Sequence, residues 1–414
     1  MKFGKTAVRL AAAVLFAAIA LSCAAPLVFA QDEDFPVAPV AAAAGAQTHA
    51  ELRQNPALTM PQLDIPCKNA ILVSIDTGDI LYEKEPDAEV SVASITKVMT
   101  LLLTLEAVEA GKISMTDIVP ISEHAFNMGG SQIWLEPGEQ FTLDELVKAI
   151  CVSSANDAAV AVAEYVGGSE PVFAEMMNKR AVELGMTHTN FVNACGLDAQ
   201  NHYSSARDVA VMSLALLRHP KILEYSGIWM DTLRGGETQL TNTNKLLKSY
   251  AGITGLKTGT TNGAGVCISA SAVRDGMGIL AVVLGSPSSK ERFVAATTML
   301  DYGFATYETA QFPPIAGRAD TLRVRRGVSA ETGLAYDVPE KLLLKKGEGK
   351  TLTAGVELPE SLEAPVQPGA QVGKVTLKAG ETVLGTYPVA TSAAVPKMDF
   401  GTALSLLMKA LTTL

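Results

Sequence analysis

Three short polar motifs contain the residues best suited to chemistry, and the first of them pairs a serine with a lysine. Ser94-Ile95-Thr96-Lys97 is the only Ser-x-x-Lys string in the 414-residue chain. On a helix, positions i and i+3 share a face, so the Lys97 amine can approach the Ser94 hydroxyl. A serine is a poor nucleophile unless a base removes its proton as it attacks. The motif therefore predicts Ser94 as a nucleophile and Lys97 as its proton acceptor. The simpler alternative is that Ser94 only caps a helix.

The other two motifs are Ser154-Ala155-Asn156 and Lys257-Thr258-Gly259. The first lies where one predicted helix ends and the next begins, and polar residues at such junctions are usually caps. The second comes just before two long apolar runs, where a strand with a turn-forming glycine would also explain it. Each motif alone is ambiguous. Together, in this order, they are typical of an active site assembled from a helix start, a helix junction and a strand.

The triplet resembles that of the penicillin-recognising serine acyl transferases. The chain is most similar to the low-molecular-mass penicillin-binding proteins that act as D-alanyl-D-alanine carboxypeptidases, over roughly residues 65–310. Further strings of that family type are Ala93-Ser94-Ile95-Thr96-Lys97-Val98-Met99-Thr100, Ser154-Ala155-Asn156-Asp157-Ala158, Gly196-Leu197-Asp198, Tyr203-Ser204-Ser205-Ala206-Arg207-Asp208 and Gly255-Leu256-Lys257-Thr258-Gly259. The departures are Ala155, where glycine is common, and Thr260-Thr261 after the third motif. The resemblance implies an α+β, β-lactamase/transpeptidase-like domain that releases the terminal D-alanine of peptidoglycan stem peptides and is acylated by β-lactams.

Acyl transfer gives each polar residue of the motifs an expected role. Lys97 can act as a base only if its pKa falls from about 10.4 to near 7, which burial and the charge of Lys257 would favour. Ser154 would relay a proton to the leaving amine, and Asn156 would hold the substrate amide. The remaining substrate-binding residues are expected in the third motif: Lys257, Thr258 and Gly259, with Thr260 after them. Lys257 and Thr258 would bind the terminal carboxylate, while the N–H groups of Ser94 and Thr260 would form the oxyanion hole.

Composition and the remaining motifs exclude other classes of function. A net charge of -10 and no long Lys/Arg block argue against binding to nucleic acid. The five histidines have no metal-ligand spacing and no Gly-x-Ser-x-Gly elbow occurs, so neither a metal nor another cofactor is expected. Two alternatives stay open. A class A-like β-lactamase would need a deacylating Glu-x-x-Leu-Asn string, which is absent between Asn156 and Lys257. A non-turnover penicillin-binding scaffold or sensor would not need both lysines.

Periodicity supplies the elements that must position these residues. Apolar spacing predicts helices over residues 94–110, 142–150, 156–165, 170–184, 205–217 and 290–302. Apolar runs predict strands over 70–75, 80–82, 265–273 and 277–284, with order beginning near Asn69. One hairpin, then helices, then further strands indicates an α+β domain over residues 62–316. Short strands between Gly and Pro turns predict a small all-β domain over 317–395, with a hairpin tip at Ala379-Gly380-Glu381.

The two ends of the chain have compositions of their own. Residues 1–30 combine three positive charges, a twelve-residue apolar run and Val28-Phe29-Ala30, which is typical of a signal peptide rather than a membrane span. Alternatives are an uncleaved anchor or a lipidated Cys23. Proline-rich residues 31–61 are expected to be a flexible tether. Residues 396–414 predict an amphipathic helix that lies in a membrane interface or docks on the protein.

The sequence thus predicts an exported protein in the periplasm or on the outer face of the cell membrane. Four cysteines would remain after export, and free, partly buried thiols are favoured over disulfides: Cys67, Cys151, Cys195 and Cys267.

Overall fold

A computed structural model describes residues 52–55, 58 and 60–412. The strands up to residue 286 are β1 (Asn69–Ser74), β2 (Ile80–Lys84), β3 (Ile118–Val119), β4 (Phe141–Thr142), β5 (Met230–Leu233), β6 (Thr238–Thr241), β7 (Ile253–Thr261), β8 (Gly265–Arg274) and β9 (Met277–Ser286). The helices up to residue 306 are α1 (Lys97–Glu109), α2 (Glu123–Phe126), α3 (Leu143–Val152), α4 (Asn156–Gly167), α5 (Glu170–Glu183), α6 (Ala206–Leu217), α7 (Ile222–Ser226), α8 (Leu246–Ser249) and α9 (Ser289–Thr306). A short 3-10 turn, Ala93–Thr96, precedes α1.

An antiparallel sheet divides this region into two layers. Its strand order is β2-β1-β9-β8-β7, so both ends of the region contribute strands to one sheet. Alternate residues of β1 point to opposite sides: Ile71 and Val73 pack with the helical cluster, whereas Ala70 and Leu72 pack with α9. Burial of both faces explains why the strands read as continuous apolar runs. The predicted α+β arrangement is confirmed.

The helices begin where the sequence supplies caps. Thr142 and Glu145 form the predicted capping box. Thr142 Oγ1 accepts from the Glu145 N–H, and Glu145 Oε2 accepts from the Thr142 N–H. Ser205 caps α6 through its hydroxyl, which accepts from the Asp208 N–H. The first predicted helix differs at its start. Residues 93–96 form a 3-10 turn and the α-helix begins only at Lys97.

The C-terminal region is all-β, as predicted. Its strands are β10 (Tyr307–Gln311), β11 (Ile315–Ala316), β12 (Thr321–Arg325), β13 (Glu331–Tyr336), β14 (Lys341–Lys345), β15 (Leu352–Glu357), β16 (Leu362–Glu363), β17 (Gln371–Ala379) and β18 (Thr382–Thr391). The larger sheet has the order β11-β15-β17-β18-β13-β12-β16, and β17 and β18 meet at the predicted hairpin tip. β14 instead pairs with β10. Strands of this region therefore begin at Tyr307, before the expected boundary at residue 317.

The residues before β1 are partly attached to the sheet. The chain makes ordered contacts before the expected start near Asn69. Arg53 Nε donates to Asp79 Oδ1 at 2.6 Å, and the two residues also form a backbone bridge. Part of the expected tether is therefore held on the sheet, because a buried carboxylate needs a charged partner. The predicted signal peptide, Cys23 and the rest of the tether before residue 52 lie outside the described residues.

The tail forms helix α10 (Phe400–Thr412), inside the predicted range 396–414. Its apolar residues are largely exposed rather than docked on the protein: Phe400, Leu404, Leu407 and Leu411. Leu414 lies outside the described residues. In the part of the chain described here, no helix combines the length and apolar character needed to cross a bilayer.

Candidate active site

The 3-10 turn places the Ser94 hydroxyl beside the Lys97 amine, with Lys97 Nζ donating to Ser94 Oγ at 2.9 Å. Ser94 is half-buried and so stays accessible. It does not cap α1, because the cap position is Thr96, whose hydroxyl bonds His202 Nε2 at 2.8 Å. Ala93 adopts φ +50°, a left-handed conformation that costs a non-glycine residue free energy. The turn therefore fixes the geometry that the Ser-x-x-Lys spacing predicts.

Lys97 is fully buried and satisfied by three acceptors. Besides Ser94, its Nζ donates to Asn156 Oδ1 and to the Cys195 carbonyl, each at 2.6 Å. Burial lowers the pKa of Lys97 to about 8, partly opposed by the neighbouring Cys195 thiol and Asp157 carboxylate. An amine in this range is neutral in a useful fraction of molecules near neutral pH. Burial is the largest cause of this shift, as expected from the sequence.

Lys257 and Ser154 form a second lysine–serine pair. Lys257 Nζ donates to Ser154 Oγ at 2.8 Å and to the Thr258 carbonyl at 2.8 Å. The pKa of Lys257 lies well below its ordinary value because the residue is buried, and because Lys97 and Arg292 lie nearby. Ser154 has φ +62°, so this hydroxyl too is presented by a strained backbone. A positive charge on either lysine disfavours a positive charge on the other, because like charges repel.

Asn156 has a position different from the one its expected role suggests. Its Oδ1 accepts from Lys97, and its Nδ2 donates to the Gly129 carbonyl at 2.6 Å. In this state the side chain orients the lysine, and its contact with a substrate amide stays a prediction. The Thr258 hydroxyl is likewise engaged, by Thr243 Oγ1 at 2.6 Å.

Strand β7 passes directly beside the serine. A Cβ built on Gly259 would lie 2.9 Å from the Ser94 nitrogen, so only glycine allows this approach. β7 is an edge strand of its sheet, which leaves one side open to pair with an extended peptide. Thr260 follows at once, and its hydroxyl bonds the Gly259 carbonyl at 2.8 Å. The third motif thus lies beside the turn that contains Ser94.

Several residues that complete the site were not assigned roles from the sequence. Asp157 accepts backbone N–H bonds from the loop before β4, and Arg292 on α9 donates to the Gly259 carbonyl at 3.3 Å. Gly196 lets its loop approach the turn, since a Cβ there would lie 2.0 Å from the Ala93 carbonyl oxygen. The Gly196-Leu197-Asp198 string was a usable signal: Asp198 accepts from Thr261 Oγ1 at 2.7 Å. The contact of the Cys195 carbonyl with Lys97 could not be predicted, because any residue at position 195 would offer the same backbone oxygen.

All four described cysteines are free thiols, in agreement with the favoured expectation. Three of them are buried, and burial raises the pKa of Cys267 to about 11. Such thiols are mostly protonated and unreactive at neutral pH.

Comparison with known proteins connects this geometry to a family. Residues 55–288 match the model of the D-alanyl-D-alanine carboxypeptidase family, and residues 319–397 match that of the penicillin-binding protein 5 C-terminal domain. The chain is 42% identical over 340 residues to D-alanyl-D-alanine carboxypeptidase DacF of Bacillus subtilis, covering 80% of this chain and 87% of that protein. It is 35% identical over 315 residues to D-alanyl-D-alanine carboxypeptidase DacC of Escherichia coli, covering 74% and 78%.

Solved structures give the same result for the fold. Penicillin-binding protein 5 from Haemophilus influenzae superposes with a TM-score of 0.73 at 31% identity, covering 81% of this chain and 99% of that one. Penicillin-binding protein D2 from Listeria monocytogenes in its ampicillin-bound form has a TM-score of 0.54 at 31% identity, covering 59% and 100%.

Proposed function

The chain belongs to the D-alanyl-D-alanine carboxypeptidase family, and on this premise we propose that Ser94 is the nucleophile of its acyl-enzyme. The chain is a serine hydrolase that removes the terminal D-alanine from peptidoglycan stem peptides and is acylated by penicillins. The comparisons confirm these two predictions. They therefore favour a carboxypeptidase over a β-lactamase or a non-turnover scaffold. The observation that carries the residue assignment is the 2.9 Å contact between Lys97 Nζ and Ser94 Oγ.

In acylation, Ser94 Oγ attacks the carbonyl carbon of the penultimate D-alanine while neutral Lys97 takes the hydroxyl proton. The carbonyl π electrons move onto oxygen, where the N–H groups of Ser94 and Thr260 would stabilise the charge. Collapse of this intermediate breaks the C–N bond, and the leaving amine takes a proton through Ser154. Lys257 supplies that proton in turn, since its Nζ already donates to Ser154 Oγ.

The terminal carboxylate of the substrate would bind at Lys257 and Thr258. A carboxylate there would favour the protonated form of Lys257, which burial otherwise disfavours. Binding of the correct end of the peptide would then charge the proton donor that its cleavage needs. Once D-alanine has left, Lys97 would release the proton that it took and Lys257 would regain the one that it gave, both by exchange with solvent. In deacylation, water would then attack the ester carbonyl carbon while neutral Lys97 takes a water proton. Collapse of this intermediate would break the ester C–O bond, and Lys97 would return the proton to the Ser94 oxygen.

Covalent labelling and turnover together test these assignments. Ser94→Ala should abolish stable labelling by a fluorescent penicillin, and Lys97→Ala should slow labelling a hundredfold or more, the scale of general-base loss. Lys179→Ala, an exposed lysine on α5, is the matched control. Release of D-alanine from a pentapeptide ending in D-Ala-D-Ala should fall in parallel. Unchanged labelling of Ser94→Ala would refute the nucleophile assignment.

We also propose that residues 1–30 direct export and that α10 holds the mature protein on the outer face of the cell membrane. Support comes from the exposed apolar residues of α10, whose burial in a bilayer interface would remove them from water. Lys397 and Lys409 add little attraction to anionic lipid. A chain ending at Asp399 should lose sedimentation with phosphatidylglycerol vesicles while keeping penicillin labelling. Equal sedimentation of both chains would contradict the anchor.

A further inference from the structure

An isolated tryptophan side chain is exposed on the loop that forms part of the catalytic site. Trp134 is 72% exposed, whereas the adjacent Ile133 and Leu135 are buried at 2% and 0%. The loop thus uses two apolar side chains as core and leaves the largest one in water. A single exposed apolar side chain is common on protein surfaces, so what distinguishes Trp134 is the backbone that presents it.

The backbone that carries Trp134 is fixed on both sides. The buried carboxylate of Asp157 accepts the N–H of Ile133 at 3.0 Å and that of Leu135 at 3.1 Å. The Arg234 guanidinium donates to the Ile133 and Trp134 carbonyls, each at 2.9 Å. Glu139 in turn holds Arg234 at 2.7 Å.

This network holds Trp134 at φ +58°, a left-handed conformation that is costly for a bulky residue. Strain of this kind persists only where surrounding contacts enforce it. The exposed indole is therefore mounted on a preorganised backbone and is not a loose loop side chain.

The same loop also contacts the catalytic residues. The Gly129 carbonyl accepts from Asn156 Nδ2 at 2.6 Å, and the Ser131 carbonyl accepts from the Asn156 N–H at 2.7 Å. Asn156 itself holds Lys97. Trp134 is three residues beyond Ser131, so its Cα lies within about 11 Å of a residue that contacts Asn156. The backbone that carries Trp134 therefore continues from the segment that contacts Asn156.

We propose that Trp134 is a stacking surface for a sugar ring of the glycan strand to which the stem peptide is attached. This inference rests on the proposed function, which supplies a glycan-linked substrate. An indole presents a wide apolar face that can cover the C–H face of a pyranose. The neighbours Gln132, which is half-buried, and Glu136, which is exposed, are polar and can bond sugar hydroxyl and acetamido groups.

Other partners fit this surface less well. A stable protein interface buries about 800 Å² on each partner, several times what one indole supplies. The neighbouring carboxylates of Glu136 and Glu139 would repel an anionic lipid surface. A sugar ring matches a single aromatic ring in size and tolerates a polar surrounding.

Fluorescence can isolate this residue because the chain has two tryptophans, Trp134 and Trp229. In a Trp229→Phe protein, tetra-N-acetylchitotetraose should change the emission of Trp134 in a saturable way. In a Trp134→Phe protein, the same titration should leave the emission of Trp229 unchanged. No saturable change in the first protein, or a shift produced by phosphatidylglycerol vesicles in its place, would overturn the proposal.

Kinetics supply the second measurement. Trp134→Ala should lower kcat/KM for D-alanine release from polymeric peptidoglycan about three- to tenfold, the range of one aromatic stacking contact. Release from a soluble pentapeptide and the rate of penicillin labelling should not change, and Trp134→Phe should restore most of the loss. Equal loss on both substrates would show a structural role of the loop and refute the proposal. Failure of the wild-type protein to label with penicillin would refute the proposed function instead.

Discussion

Lys97 has its unusual properties because a fully buried amine is bound by three oxygen acceptors rather than by a carboxylate. Its partners are the Ser94 hydroxyl, the Asn156 amide and the Cys195 carbonyl. Neutral acceptors satisfy the N–H groups without compensating a full charge, so burial dominates the pKa. The nearby carboxylate of Asp157 accepts hydrogen bonds from backbone N–H groups of the loop. The lysine is thereby poised as a base.

Acylation should therefore depend on pH through Lys97. Attack needs the neutral amine, so the labelling rate should rise with pH and reach half its plateau near the Lys97 pKa of about 8. Roughly 1% of the plateau rate is expected at pH 6 and roughly 10% at pH 7. Stopped-flow labelling with a fluorescent penicillin measures this profile. Lys97→Arg, which keeps its charge across this range, should be slow throughout, and a flat wild-type profile from pH 6 to 9 would contradict the base assignment.

Among the elements, the 3-10 turn depends most on its neighbours. It lies between the loop that contains Gly196 and the edge strand that contains Gly259, and both glycines touch it without a side chain between. Packing density leaves little room for adjustment at such backbone contacts. Ser94, the proposed nucleophile, is therefore positioned by its own turn and by two segments that are distant in the sequence.

Gly196→Ala should damage both stability and activity. Its Cβ would lie 2.0 Å from the Ala93 carbonyl oxygen, so the turn that carries Ser94 must shift. The matched control is Gly185→Ala, where φ is +74° and no atom lies within 4 Å of the new Cβ. Urea unfolding should show a loss of about 1 kcal/mol for the control and more than about 3 kcal/mol for Gly196→Ala. Equal losses would mean that the contact with Ala93 is unimportant.

His202 should make the helical layer sensitive to acid. Burial lowers its pKa to about 4 in the folded protein, and its Nδ1 accepts from the Val192 N–H. The unfolded chain, with a pKa near 6.5, binds this proton more readily. Stability from His202 is therefore complete above pH 6.5 and falls as pH decreases toward 4, by about 3 kcal/mol in total. Urea unfolding at pH 7.5 and 4.5 should show a smaller difference in His202→Gln, and an unchanged difference would refute this.

In the whole molecule, strands and an ion pair join the catalytic region to the β-rich region. Strand β10 follows α9 directly and pairs with β14. Lys341 at the start of β14 reaches back to Asp76 in the turn after β1, with Nζ to Oδ1 at 2.6 Å. The Asp76 side chain is mostly buried and also accepts the Gly278 N–H at 2.9 Å. The two regions are thus bound at a specific point of the sheet.

Removing this pair should lower the free energy of unfolding. Lys341→Met leaves a mostly buried carboxylate with one backbone partner, at a cost of about 1–3 kcal/mol. Lys374→Met removes an exposed ion pair to Glu357 and should cost less than about 0.5 kcal/mol. Thermal unfolding of both variants provides the comparison. A loss for Lys341→Met no larger than that of the control would show that the contact does not stabilise the molecule.

Local patterns in the sequence were enough to predict the candidate reactive residues and the elements that carry them. Periodicity and caps are local, so α3, α6 and the β17–β18 hairpin could be predicted from short windows of the chain. The Ser-x-x-Lys spacing is local as well, and it was enough to pair Ser94 with Lys97.

The contacts that hold these groups and shift their pKa values come from segments far apart in the chain, so they could not be predicted from local patterns. The loop of Cys195 and Gly196 contacts the turn of Ser94 and the Lys97 amine from about 100 residues away in the chain. These contacts use backbone atoms, so no pattern of residue types predicts them. The pairing of β10 with β14, and of Arg53 with Asp79, depended on which surfaces meet after folding. Burial is a property of the packed molecule, and burial is what lowers the pKa of Lys97.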